Sequence, residues 1–389
     1  MMAVGVSGGT TIWAPKVDEL GTDVLSRVTV RALASYRGDP VVTSFYLDVD
    51  GRRFPRPSDL EPKVEHLFRV ARHEAVGLGS AASGAVGADL ERIRVWLSHG
   101  VDRERIRGVA VFCCDAKGLF TTIALSQPFA DAVSVDERPH VAQLVQALGA
   151  STPSLVVLVD REGSRLLRCD AGVVDESAGP TDELARQVDT DVELGSFARQ
   201  HEEAARRHLR RVADAVASEL RSWRAEYVVL GGPAATELEH LLPADAARRC
   251  VGVIPVAMAA PKDEAAAMAQ GLVAGAERRR QCSLVEDLIV RSGTDATIGL
   301  AATLDALAAR SVGTLVVDRS LKATGVRCAA CGLLALEGEV CSRCGERTTG
   351  VADLVEAALA DALAADADVE SVDSPDLVAR GGIGSIERY

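Results

Sequence analysis

The sequence lacks an uninterrupted apolar stretch of about 20 residues, the length that an α-helix needs to cross a bilayer. It also lacks a basic segment followed by an apolar run near Met1, which is the pattern of a secretory signal peptide. The sequence therefore predicts neither a membrane span nor export, and a cytoplasmic location is expected.

Common catalytic signatures are missing as well. The chain has no nucleotide-binding P-loop, and no Gly-x-Ser-x-Gly motif is followed by the residue order of an α/β-hydrolase. No internal repeat is visible. Nothing in the sequence proposes a catalytic triad or a nucleotide-hydrolysing site.

A net positive charge is also lacking. Lys and Arg number 43 against 56 Asp and Glu, which gives a net charge of −13. This acidity keeps the chain soluble and argues against nonspecific binding of nucleic acid, although local basic patches remain compatible with it.

Five of the nine cysteines have no disulfide-framework spacing, namely Cys113, Cys114, Cys169, Cys250 and Cys282. Most of them stand beside apolar residues, as buried free thiols do, so a reducing compartment is expected.

The other four cysteines form two Cys-x-x-Cys pairs: Cys328, Cys331, Cys341 and Cys344. Nine residues separate the pairs, and a glycine follows each one. Two knuckles that each offer two thiolates predict a zinc ribbon, and four thiolates leave no open position for water, so the zinc is expected to be structural. The alternative is two redox-active or disulfide-bonded pairs.

The length of 389 residues predicts two or three domains. We expect a loose tail at 1–25, a mixed α/β domain at 26–150, a layered α/β domain at 151–282 and a small αβα domain at 283–389. The zinc ribbon, at 325–348, is inserted into the last of these.

Hydrophobic spacing predicts several long helices. They lie at 60–76, 196–223 and 262–281, and a stretch of small residues at 77–87 is expected to interrupt the helical pattern after the first. His201 and His208 are interpreted as surface residues, because metal-binding pairs on a helix usually stand four apart.

Two basic segments are candidates for RNA contact. One is on the helix at 196–223, where Arg206, Arg207, Arg210 and Arg211 form like-charge pairs four residues apart that a phosphate backbone would relieve. The other is a loop that holds Arg52, Arg53 and Arg56 around Phe54. The alternatives are ion pairs with Glu202 and Glu203 on a solvated helix face, and an ordinary solvated loop.

Three features together carry a family resemblance. They are the ending GGIGSIERY at 381–389, the ribbon inserted into a small αβα domain, and the arginine-rich stretch at 195–214. They resemble the archaeo-eukaryotic class 1 peptide release factors and their bacterial relatives. The segment FYLDVDGRRFP at 45–55 resembles the bacterial branch.

The resemblance implies an RNase H-like middle domain and the ribosome, with its rRNA and tRNA, as a partner. A translational GTPase is a further implied partner. In the family a Gly-Gly-Gln loop stands before the long helix and positions water at the ester of peptidyl-tRNA. This chain has no Gly-Gly-Gln, and no Asn-Ile-Lys-Ser motif of the kind that reads stop codons.

The sequence therefore leaves three functions open. The first is a ribosome-associated factor that docks in the decoding site and protects idle ribosomes without hydrolysis. The second is a peptidyl-tRNA hydrolase that rescues stalled ribosomes, with Gln200 as the candidate residue that positions water. The third is an interaction scaffold that does not bind the ribosome.

Overall fold

The computed structural model describes residues 25–388 apart from 105, 151, 171–172, 182–193 and 224, and it describes only the backbone of 150 and 194–200. The expected tail at 1–25 lies almost entirely outside these residues. The described residues form two compact units, one ending at Leu144 and the other beginning at Val145. None of the described helices is both long and apolar enough to span a membrane.

The described residues of the first unit and of the start of the second form four α-helices and four strands. In chain order they are α1 (Arg27–Ser35), β1 (Val42–Asp48), α2 (Glu61–Leu78), α3 (Ser80–Ser98), β2 (Gly108–Cys114), β3 (Leu119–Leu125), β4 (Ala132–Asp136) and α4 (Ala142–Ala150).

The sheet of the first unit is antiparallel, in the order β3-β2-β1-β4. Helices α2 and α3 pack on it, and Phe45, Phe68 and Ile93 are fully buried there. Every residue of β1 and β2 is buried, so both sheet faces are covered. The small residues at 77–87 interrupt the helix only at Gly79, because its φ of 104° lies in a region that suits glycine.

The first part of the second unit is a five-stranded layered sheet. Its elements are β5 (Ser154–Val159), β6 (Ser164–Asp170), β7 (Val173–Ala178), α5 (Leu194–Ser222), β8 (Tyr227–Gly231), α6 (Ala235–Glu239), α7 (Ala244–Arg249), β9 (Cys250–Ile254) and α8 (Lys262–Arg291).

The strand order in this sheet is β7-β6-β5-β8-β9, with β7, β6 and β5 antiparallel and β5, β8 and β9 parallel. Helices α5, α6 and α7 cover one face, and the first half of α8 covers the other. This is the arrangement expected of an RNase H-like domain, and the expected α/β fold class is confirmed.

The last part of the unit is a smaller sheet with an inserted ribbon. Its elements are β10 (Ala296–Ile298), α9 (Leu300–Ala309), β11 (Val312–Asp318), β12 (Gly325–Cys328), β13 (Leu334–Ala335), β14 (Thr348–Val351), α10 (Leu354–Ala364), β15 (Asp368–Val372), α11 (Pro375–Val378) and β16 (Ile383–Glu387).

Strands β10, β16, β11 and β15 form one sheet in that order, and β13, β12 and β14 form the ribbon between β11 and α10. The αβα pattern is thus present. Helix α8 is 30 residues long and runs ten residues beyond its expected end at 281, because Val285 and Leu288 continue its apolar face into the core of the smaller sheet. The expected division at 282/283 falls within α8, and the three-domain division stays a prediction.

Candidate functional site

The four paired cysteines come together in the ribbon. Cys328 ends β12, Cys331 lies in the turn that follows, and Cys341 and Cys344 lie between β13 and β14. Their sulfur atoms all lie within 4.8 Å of one another. A tetrahedral ion with metal–sulfur bonds of about 2.3 Å spaces its sulfurs about 3.8 Å apart. The Cys328–Cys344 and Cys331–Cys341 Sγ distances are 3.4 Å and 3.6 Å, so the four thiols are at metal-binding distance.

Each pair is held by the same backbone turn. In the first pair, the N–H of Cys331 donates to Cys328 Sγ over 3.4 Å, and the N–H of Gly332 donates to the carbonyl of Cys328 over 3.0 Å. In the second pair, the N–H of Gly345 donates to the carbonyl of Cys341 over 2.9 Å. Both glycines have positive φ, 74° and 78°, which a side chain would strain.

These turns favour the thiolate, the form that binds metals. The N–H of Cys331 is the main cause that lowers the pKa of Cys328 to about 6. Burial opposes ionisation of Cys341, but the N–H groups of Arg343 and Cys344 outweigh it and lower its pKa. The N–H of Glu346 favours the thiolate of Cys344 too, yet the neighbouring sulfurs raise its pKa to about 12. A divalent cation would remove this mutual repulsion.

The ribbon is anchored to the helices beside it. Leu334 of β13 packs with Leu304 of α9 and with Leu354 and Ala358 of α10. The Arg343 side chain donates to the carbonyl of Ala308 over 2.9 Å. The ribbon that carries the cysteine cluster therefore shares a core with α9 and α10.

The remaining cysteines do not join the cluster. All nine cysteines lie within the described residues and none of them is in a disulfide. Burial raises the pKa of Cys113, and it raises that of Cys169 to about 11, so these two are unreactive as thiolates.

Helix α5 presents the predicted arginines to solvent. Arg206, Arg207, Arg210 and Arg211 are all exposed. Arg206 Nε lies 3.4 Å from Glu202, and Arg207 Nη1 lies 4.0 Å from Glu203. The two ion pairs named in the alternative, at Arg206 and Arg207, are therefore both present.

His208, on the same helix, is fully buried, so its interpretation as a surface residue was wrong. Neither of its ring nitrogens has a hydrogen-bond partner among the described residues. The sequence contained the signal, because His208 stands four residues before Val212, which itself precedes the buried Val216 by four.

Gln200 belongs to the first turns of α5, and its side chain lies outside what is described. The backbone from Leu194 onward is helical. In a regular helix the N–H of Gln200 bonds to the carbonyl of Ser196 and is not available to a ligand.

In the loop between β1 and α2, the structure distinguishes between the two predicted arginines. Arg53 Nη1 is bonded to Asp48 Oδ2 at 2.6 Å. Arg52 is exposed, and within the described part of the chain its side chain forms no ion pair.

The family model described as bacterial archaeo-eukaryotic release factor family 10 matches residues 139–276, which include the five-stranded sheet and α5. No curated protein sequence matches the chain significantly.

Several solved structures are similar to the chain. The archaeal translation termination factor aRF1 is 14% identical, with 94% of this chain and 99% of that chain covered and a TM-score of 0.26. The ribosome-bound archaeal Pelota, solved with ABCE1, is 18% identical over 70% and 72% of the two chains, with a TM-score of 0.43. Dom34 of S. cerevisiae, a translation termination-like factor that interacts with Hbs1, is 8% identical over 72% and 79%, with a TM-score of 0.37.

The family match falls on the segment that contains the arginine-rich helix, and the glycine-rich ending and the inserted ribbon agree with it. The segment 139–276 is therefore release-factor-like, similar to the bacterial archaeo-eukaryotic release factor family 10.

Proposed function

We propose that this protein is a ribosome-associated translation factor that docks in the decoding site and protects idle ribosomes without hydrolysing peptidyl-tRNA. The observation that carries the proposal is the helical backbone of 194–200. The family's Gly-Gly-Gln loop would end at this point. Beyond its first turn a helix bonds its own amides internally, so the backbone amides of 198–200 are not free to position water at an ester.

The arginines of α5 support a contact with rRNA. Four exposed guanidiniums lie within six residues, and Arg206 and Arg207 are paired with carboxylates of the same helix. Phosphates would relieve the repulsion between arginines four apart and release counterions. Changes at Arg210 and Arg211 test this contact without breaking the ion pairs of Arg206 and Arg207.

The four-cysteine cluster is proposed to hold a structural zinc ion. The sulfur spacing and the two N–H-bonded knuckles support zinc, and the four sulfurs complete a tetrahedral site. The ion would supply no chemistry to a substrate. It would keep the ribbon folded against α9 and α10.

The partners and the cellular location are also part of this proposal. The ribosome, with rRNA and tRNA, is the partner, a translational GTPase is a candidate second partner, and the cytoplasm is the location. The similarity of residues 139–276 to a bacterial release factor family supports this setting, since release factors act on ribosomes.

The test is co-sedimentation of the purified full chain with vacant ribosomes over a range of salt concentrations. We expect binding at low salt. The variant Arg210→Ala/Arg211→Ala should lower the slope of log affinity against log salt by about 1.8, or 0.9 per phosphate contact. The matched control is Arg278→Ala/Arg279→Ala, an exposed arginine pair on α8. Absence of wild-type binding at low salt, or equal slopes for the two variants, would contradict the proposal.

A release assay on ribosomes loaded with peptidyl-tRNA separates the proposal from the hydrolase alternative. We expect no release of peptide above background. Release by the wild-type chain that is lost in Gln200→Ala would instead establish the hydrolase. Release that survives this change would exclude Gln200 from the chemistry while still overturning the non-hydrolytic role.

A further inference from the structure

The loop between β1 and α2 keeps its acidic groups inside and its cations outside. Asp48 and Asp50 are only 5% and 7% exposed. Arg52, Arg53 and Arg56 project into solvent. These carboxylates bind Arg53 and backbone N–H groups of the loop, and they leave the Arg52 and Arg56 side chains available for an external anion.

The backbone of the loop is fixed by hydrogen bonds at most of its turns. Asp50 accepts the N–H of Arg52 through its carboxylate at 3.0 Å, and the N–H of Phe54 through its carbonyl at 2.8 Å. The Arg103 side chain donates to the carbonyl of Phe54 at 2.7 Å. The N–H of Arg56 donates to Asp59 at 2.8 Å. The loop is therefore pre-organised, and its arginines start from a fixed backbone, which lowers the ordering cost of binding.

The centre of the loop is an aromatic ring surrounded by cations. Lys63 Nζ lies 3.7 Å from the centroid of the Phe54 ring, and it also reaches the carbonyl of Asp48 at 2.6 Å and Asp131 at 3.0 Å. The Arg53 guanidinium lies 5.9 Å from the same centroid while its side chain remains 63% exposed. Its bond to Asp48 holds it in place, so Arg53 offers a fixed planar surface to solvent.

In the sequence, Arg52 precedes Arg53 and Phe54, and Arg56 follows them. Both are exposed, and within the described residues neither guanidinium has a hydrogen bond or an ion pair. Two unpaired cations beside a planar cation and an aromatic ring match a strand that carries both phosphates and unpaired bases.

We propose that this loop is a binding site for single-stranded RNA. Arg52 and Arg56 bind phosphates, and an unpaired base stacks on the Arg53 guanidinium against Phe54. Lys63 and Arg103 act as positioning residues that hold the ring and the backbone. The inference rests on the proposed function as an RNA-binding factor and deepens it. Single-stranded RNA fits better than a duplex because a paired base cannot expose its face for stacking.

The test uses the full chain and a fluorescein-labelled single-stranded RNA of 12 nucleotides, with the same sequence as a duplex for comparison. Fluorescence anisotropy over a salt series gives affinity and slope. We expect tighter binding to the single strand. Arg52→Ala/Arg56→Ala should lower the log–log salt slope by about 1.4, or 0.7 for each phosphate contact on a single strand.

Two further variants separate stacking from charge. Arg53→Lys keeps the positive charge and removes the plane, so affinity should fall by about fivefold or more with the slope unchanged. Arg69→Ala/Arg72→Ala removes two exposed arginines of α2 and should behave as the wild type. Equal affinity for single strand and duplex, or equal slopes for the loop variant and this control, would overturn the inference. Equal affinity for polyglutamate would also overturn it, because the loop would then be a general polyanion site.

The outcome for the loop is distinguishable from that for the ribosome. If the protein binds ribosomes but fails the RNA test, the proposed function is supported and the RNA site in the loop is rejected. If the protein binds RNA through the loop but does not sediment with ribosomes, the RNA site is supported and the ribosome is rejected as a partner.

Discussion

Backbone amides organise the cysteine cluster at the scale of single residues. The N–H of Cys331 donates to Cys328 Sγ, and the N–H of Arg343 donates to Cys341 Sγ, each over 3.4 Å. Such bonds stabilise the thiolate and fix its direction, so the buried cysteine of each pair is prepared for a cation before the cation binds.

Replacing Cys328 with serine should abolish metal binding. A hydroxyl does not ionise at neutral pH and is a poor zinc ligand, so the zinc content should fall from about one ion per chain to none. Elemental mass spectrometry on protein purified under reducing conditions measures this. Cys282→Ser is the matched control, since Cys282 is exposed on α8 outside the cluster. A wild-type chain without zinc would contradict the assignment.

Asp318 ties the end of β11 to the segment before α11. Its side chain accepts the N–H of Ser320 and the N–H of Ser374, each at 2.9 Å, and the residue is 4% exposed. Burial alone would raise the pKa of this carboxyl, but the Ser320 hydroxyl and the two amides outweigh it and lower the pKa. The carboxylate therefore stabilises the fold in its ionised form.

The pH dependence of this contribution has a definite sign. Because the folded pKa is below the unfolded value of about 3.9, the stabilisation is present above that value and is lost as pH falls through the folded pKa. Asp318→Asn should lower the free energy of unfolding by about 2 kcal/mol at pH 7, and the difference from wild type should shrink below about pH 4.

Urea unfolding at a series of pH values measures this difference. Asp373→Asn, an exposed neighbour, is the control and should match the wild type throughout. A difference for Asp318→Asn that grows as the pH falls would show that the sign is wrong.

At the scale of elements, α8 joins the two sheets of the second unit. Arg280 donates to Glu277 of the same helix at 2.7 Å and to Glu370 of β15 at 2.6 Å. Glu277 also accepts the hydroxyl of Tyr227, on β8, at 3.0 Å. One polar network thus connects β8 of the five-stranded sheet with β15 of the smaller sheet.

Removing the cation from this network should be costly. Arg280→Met leaves two largely buried carboxylates without their counterion, and we expect a loss of about 3 kcal/mol. Thermal and urea unfolding measure it. Arg278→Met is the control, because Arg278 is exposed on the same helix. Equal stability of the two variants would show that the network contributes nothing.

At the scale of the whole molecule, each of the two compact units has a hydrophobic core of its own. The cysteine cluster and its supporting leucines all lie in the second unit. The aromatic core of the first unit, around Phe45 and Phe68, is built without them.

Chelation should therefore destabilise one unit only. Calorimetry with a zinc chelator should move the transition of the second unit to lower temperature, because ligand removal withdraws the stabilisation that binding supplies. The transition of the first unit should stay in place. A joint shift of all unfolding would contradict separate cores.

Local patterns predicted much of this structure. The helices expected at 60–76 and 196–223 were predictable from apolar residues three and four apart. The cysteine cluster was predictable from spacing alone, because two residues between two cysteine ligands form a knuckle in any fold. The interrupted helix after 60–76 was harder to place, because only the backbone angle at Gly79 decides where the break falls.

Pairing over long distances in the chain was not predictable in the same way. His208 resembles a surface residue until its face of α5 packs on the sheet. Arg52 and Arg53 are adjacent and chemically identical. Only the folded position of Asp48 decides that, among the described residues, Arg53 forms an ion pair and Arg52 does not.

The sequence by itself determined the α/β class, the cysteine cluster and the release-factor resemblance, because each depends on spacing along the chain. The tertiary structure decided which arginines are available to a ligand, how far α8 extends and which side of α5 is buried. Those properties depend on which residues meet across elements, and chain spacing does not specify such contacts.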